Sequence, residues 1–94
     1  MTLAEFKASL SQTTPPAELS KVLHALWEDA KGDWDRAHQL AQSVSNPDGA
    51  WVHAYLHRKE GDLSNAAYWY ANAGQHMPNT SLEAEWEHIA QALL

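Results

Sequence analysis

An all-α domain of about six helices is what this sequence predicts, and three observations carry that reading. Apolar residues recur at helical spacing along most of the chain. Alternating Val/Ile/Thr strand patterns do not occur. Glycine and proline punctuate the chain at intervals suited to short turns between helices.

The elements follow in order. Thr2 and Glu5 have the spacing of a capping box, opening a short helix with Leu3, Phe6 and Leu10 on one stripe. The Ser/Thr-rich run from Ser9 to Thr14 ends it, and residues 1–13 read as an N-terminal capping segment. A first helical hairpin is expected over 14–45. Its leading helix starts at Thr14, with Pro15 in the first turn where a missing N–H costs nothing. Leu19, Val22, Leu23, Leu26, Trp27 and Ala30 form its apolar face. Gly32 suits a left-handed helix end, and Asp33 can cap a second helix bearing Trp34, Ala37, Leu40, Ala41 and Val44.

Asn46-Pro47-Asp48-Gly49 breaks that helix and starts the next, and a second hairpin is expected over 48–77. Its leading helix runs from about Ala50 to Glu60. Gly61-Asp62 turns the chain into a helix carrying Leu63, Ala66, Ala67, Trp69, Tyr70 and Ala73, which Gly74 and Pro78 close. Thr80 with Glu83 suggests a second capping box before a C-terminal capping helix over 79–94, striped by Leu82, Trp86, Ile89, Ala90 and Leu93. One domain is the expectation for 94 residues.

Composition narrows the function classes. The formal charge is −6 at pH 7. The six cations, Lys7, Lys21, Lys31, Arg36, Arg58 and Lys59, are scattered, which argues against nucleic-acid binding and against anionic membrane surfaces. Without cysteine there are no disulfides and no thiolate metal sites. No stretch has the length of a membrane span or the apolar run of a signal peptide, so a soluble, cytoplasmic chain is expected. Five tryptophans are many for a chain this short, and they compensate for a modest core.

The hairpins look alike. Gly32-Asp33 recurs 29 residues later as Gly61-Asp62, and the same offset relates His24 to His53, Ala25 to Ala54 and Ala37 to Ala66. Gly61, Ala66, Tyr70, Ala73 and Pro78 have the spacing of the turn glycine, small residues, aromatic and closing proline of a tetratricopeptide repeat. The second unit resembles that family. The resemblance implies stacked helix–turn–helix units and a protein-interaction role. The segments Trp51–Asp62 and Asn65–Tyr70 also look like a group of short bacterial proteins of unknown function. Two units are fewer than the ~3 usual for a free-standing solenoid. Either the terminal helices act as caps, or an exposed end face pairs with a second copy.

Two residue groups could carry function. His53 and His57 are four apart on one helix, where the tetratricopeptide family has an apolar residue and an aromatic. The repeat offset makes His24 and Glu28 their equivalents on the earlier leading helix. Stacking would bring His24, Glu28, His53 and His57 into one patch able to hold a divalent metal. Solvent exposure, or hydrogen bonding to a partner such as Tyr70, Asn65 or Glu28, is the other reading of the histidines, and the more usual one for histidine pairs on helices. The helical projection gives this fourth helix two usable faces, as expected for a central helix.

The second group is Arg58, Asn65, Tyr68, Trp69 and Tyr70, with Lys59 nearby. Tyr, Trp and Arg are the residues that dominate protein interfaces, and a guanidinium beside rings could hold a small anion. Packing of the rings in the core, with Arg58 paired to Asp62 or a glutamate, is the other reading. Glu83, Glu85 and Glu87 fit a solvated helix face. No catalytic motif, nucleophile context or phosphate loop is recognisable. A small protein-interaction module without a resident cofactor is the leading expectation; its alternative is a small metal- or anionic-ligand-binding protein, or an enzyme, using the His/Glu patch on the leading helices.

Overall fold

The computed structural model describes all 94 residues. Six α-helices and no strand are present: α1 Leu3–Ala8, α2 Lys21–Ala30, α3 Trp34–Gln42, α4 Pro47–Lys59, α5 Leu63–Ala73 and α6 Leu82–Leu93. A single 3-10 turn, Ser9–Ser11, follows α1.

Both glycine-aspartate corners fold the chain back. Gly32 and Gly61 take φ of 92° and 87°, a region a side chain disfavours. In each corner the aspartate N–H reaches a carbonyl of the preceding helix: Asp33 to Glu28 at 2.9 Å, and Asp62 to His57 at 3.0 Å. Each aspartate then caps the next helix, accepting from Arg36 N–H at 3.0 Å and Asn65 N–H at 3.3 Å. Carbonyls of one helix and N–H groups of the next are thus satisfied within two residues.

Three expected helix starts move, the smallest shift being that of α4, which begins at Pro47 rather than about Ala50, with Asn46 as its cap. The leading helix of the first hairpin begins at Lys21, not Thr14. Pro16 holds Pro15 out of the helical region, so residues 14–20 cross the surface as bends and a turn. Ser20 supplies the cap instead, accepting from Leu23 N–H. At the last helix, Ser81 rather than Thr80 is the cap, accepting from Ala84 N–H at 3.1 Å. The carbonyl of Thr80 is taken by the Arg58 guanidinium, which holds that residue outside the helix. The Thr2–Glu5 capping box forms as expected, with both reciprocal hydrogen bonds.

Helix α4 is the axis of the molecule. Every residue from Gly49 to His57 is buried, because α3 and α5 cover one side while α2 and α6 meet the other. The terminal helices do not sit at opposite ends as caps of a stack. α6 runs back across α2 and α4 and meets α1. Phe6 stacks on Trp86 at 5.5 Å, Trp86 donates its indole N–H to the Leu26 carbonyl at 2.9 Å, and Lys7 pairs with Glu87 at 2.5 Å. The side that the two leading helices share is therefore filled by the protein's own ends. Phe6, Leu26, Trp27, Val52, Leu56, Tyr70 and Ile89 form the most deeply buried part of the core.

Candidate metal centre

One helical turn separates His53 from His57 on α4, and their rings lie 4.7 Å apart. The helix that packs on this face is α3, the trailing helix of the first hairpin. It delivers His38, whose Nε2 lies 3.0 Å from Nε2 of His53. The His38 ring is 5.2 Å from that of His57. One nitrogen from each of the three imidazoles falls within a 4.8 Å group.

Two tryptophans wall the group. Trp34 stacks on His38 at 5.0 Å and anchors itself by donating to the Leu56 carbonyl at 2.9 Å. Trp69, from α5, stacks on His53 at 4.0 Å. His57 Nδ1 sits 2.6 Å from Glu60 Oε1, and its Nε2 is 3.4 Å from the side-chain nitrogen of Asn65. A glutamate on Nδ1 makes that nitrogen the N–H donor, which leaves the lone pair on Nε2.

Burial under the tryptophans disfavours charge on two of the rings, His38 and His53. His53 is pushed down to about 4, first by desolvation and then by the two neighbouring imidazoles. His38 is lowered for the same reasons, burial first and His57 second. Both are neutral near pH 7, the form in which imidazole binds a metal.

The structure separates the four residues that the repeat offset placed together. His24 and Glu28 bond each other on α2, Nε2 to Oε2 at 2.9 Å, and neither belongs to the three-imidazole group. The face of α4 bearing His53 and His57 meets α3, whereas α2 meets α4 through Asp29, Tyr55 and Lys59. His38 has no histidine at the repeat-equivalent position, which is Ala67, so the offset could not find it. Its helical register could: His38 lies four residues after Trp34 and three before Ala41, on the edge of the buried stripe of α3.

The aromatic and polar group of the second hairpin also divides. Asn65 and Trp69 belong to the imidazole centre. Arg58 and Tyr70 turn the other way and hold Glu85, which is only 3% exposed. Arg58 Nη1 donates to Oε1 at 2.8 Å and the Tyr70 hydroxyl to Oε2 at 2.5 Å. Nη2 donates to the Thr80 carbonyl, so both terminal nitrogens of the guanidinium are engaged within the protein. Glu85 thus departs from the solvated face expected for α6, while Glu83 stays exposed. Tyr68 is 61% exposed, edge-on to Trp69 at 5.2 Å.

A second buried carboxylate, Asp29, accepts from the Tyr55 hydroxyl at 3.1 Å and from Lys59 at 2.8 Å. Burial first, and then the carboxylates they face, push the Tyr55 and Tyr70 phenols up, so both remain donors. These two networks tie α2 to α4 and α4 and α5 to α6, and they read as structural.

Compared with known proteins, the chain matches no family model, no curated protein and no solved structure. No helix is long and apolar enough to cross a membrane.

Proposed function

We propose that this protein binds a divalent transition metal through His38, His53 and His57. The observation that carries the reading is the convergence of three imidazole nitrogens from two helices in a buried, tryptophan-walled group. Two nitrogens each about 2.1 Å from an ion stand ~3.0 Å apart at a right angle and ~3.4 Å apart at a tetrahedral angle. The His38–His53 separation of 3.0 Å already lies in that range. Drawing the whole group to tetrahedral spacing moves its rings by at most about 1.5 Å. An all-nitrogen set of this kind suits zinc, and also cobalt, nickel or copper. Glu60 supplies the carboxylate that orients a ligating imidazole.

Zinc titration of EDTA-treated, untagged protein by calorimetry tests this. One ion should bind per chain, and binding should vanish in His38→Ala while persisting in His24→Ala. Failure of the unmodified protein to bind, or equal loss in His24→Ala, overturns the assignment.

A protein-interaction role is a second reading, supported by one observation. Leu63 and Tyr68 stand exposed on the outer side of α5, which packs on α4 and on little else. The two like corners support a tetratricopeptide-like relationship between the hairpins. A partner would dock on α5, since α6 covers the side shared by α2 and α4.

A further inference from the structure

Beside the imidazole group, and sharing His53 with it, lies a cleft of about 360 Å³ between the α3–α4 turn, the start of α4 and the face of α5. Its volume is in the range of small-molecule sites. His53 lines it together with Trp69, Gln42, Asn46, Ala50 and Asn72.

His53 is 5% exposed, and its one hydrogen-bond contact is Nε2 to His38. Its Nδ1 has no protein partner. Every fully buried side-chain nitrogen and oxygen in the molecule does have one. Nδ1 is therefore an atom that reaches the cleft. A metal-ligating histidine almost always gives its other ring N–H to a carboxylate, a carbonyl or a water. His57 has Glu60 for this purpose. His53 has only the cleft.

The rest of the cleft is rich in donors. Asn46 uses its side-chain oxygen to cap Gly49 N–H at 3.0 Å, which leaves its NH₂ group free. The Gln42 amide and the Trp69 indole N–H have no protein partner either. Asn72 spends its NH₂ on the Tyr68 carbonyl at 2.9 Å and leaves its oxygen unpaired, so the accepting end of an occupant belongs beside His53, Asn46 and Trp69, and Val44, Pro47 and Ala50 offer apolar surface for a short tail.

We propose that this cleft binds a short-chain monocarboxylate, and that metal in the neighbouring imidazole group strengthens that binding. The inference rests on the metal reading above. In the metal-free protein the hydrogen bond between His38 and His53 can form with either ring as donor, so Nδ1 of His53 alternates between acceptor and donor. Metal on Nε2 removes that freedom. Nδ1 must then carry the proton, and the metal's charge polarises the N–H toward the carboxylate. By linkage, the carboxylate tightens metal binding by the same factor.

The test is a pair of titrations at pH 7.5, zinc first and butyrate second, followed by NMR of the histidine and tryptophan side chains. Butyrate should shift the His53 and Trp69 signals of the zinc-loaded protein with a saturable curve, at about tenfold lower concentration than without zinc. Butyramide should bind more weakly. Asn72→Phe, at an exposed helical position, should plug the cleft and abolish the butyrate response while zinc still binds; Ala50→Leu repeats the test from the floor. Zinc binding with no butyrate response, or equal butyrate affinity with and without zinc, overturns this inference and leaves the metal centre standing. An undiminished response in both plugged variants places the carboxylate on the metal and also overturns it. Absence of zinc binding in the first titration defeats the metal reading itself.

Discussion

Acid should loosen this fold through His53, and the size of the effect follows from where that ring sits. In an unfolded chain the imidazole titrates near 6.5. Under Trp69 and beside two other imidazoles it is held down to about 4. Between those pH values the unfolded chain carries a proton that the folded chain rejects. Stability therefore rises with pH across the window, is fully present above about 6.5, and is lost as pH falls toward 4. The whole interval is equivalent to about 3 kcal/mol. Solvent screening and local relaxation remove part of that penalty, leaving about 2 kcal/mol. For a domain of this length that is a fall in Tm of roughly 8–16 °C. His38 shifts in the same direction and adds to it. Carboxylates also titrate in this range, so the measurement is a difference. Thermal unfolding of EDTA-treated protein is followed from pH 7.5 to 4, beside His53→Gln, which has no proton to gain. The unmodified protein should lose about 2 kcal/mol more than the variant. Parallel curves would refute the claim that this ring is held neutral by burial.

Other perturbations separate local from tertiary causes. Glu85→Ala leaves the Arg58 guanidinium and the Tyr70 hydroxyl without their buried acceptor and should cost about 3–5 kcal/mol; denaturant unfolding measures it, with Glu85→Gln expected to cost less. Gly49→Ala, favourable by helix propensity, should instead destabilise by roughly 1–3 kcal/mol, because a Cβ there would lie 2.0 Å from the Val44 carbonyl oxygen. Gly61→Ala meets open space and should show only the ~1–2 kcal/mol strain of its positive φ; an unchanged or raised stability in Gly49→Ala would contradict the packing at the α3–α4 turn.

Where the chain turns was legible from residues alone. The cap at Thr2, the glycine-aspartate corners and the break at Asn46-Pro47 each act within a few residues, and each appears where its local chemistry puts it. Two starts were misplaced where competing local signals lay close together. Pro15 is a good first residue of a helix, but Pro16 behind it forbids that conformation. Thr80 and Ser81 are both acceptable caps, and the choice fell to Arg58, which approaches from 22 residues away along the chain.

Helical periodicity also gave α4 two usable faces, as expected for a central helix, and both are covered in the structure. What covers those faces is a pairing of helices distant in sequence, and no local pattern encodes it. The repeat offset pointed to His24 and Glu28 on the neighbouring leading helix. Packing instead set α3 against the histidines and brought His38, while His24 and Glu28 closed on each other. Glu85 and Asp29 make the same point from the other side. A carboxylate on a helix reads as solvent-facing, and only the arrival of Arg58, Tyr70, Lys59 and Tyr55 from other elements makes its burial tolerable. Residue order alone was enough to specify six helices and their corners, because caps and turns are short-range. The tertiary structure decided which imidazoles meet and which carboxylates are buried, because those outcomes depend on partners that only helix packing brings within hydrogen-bonding distance.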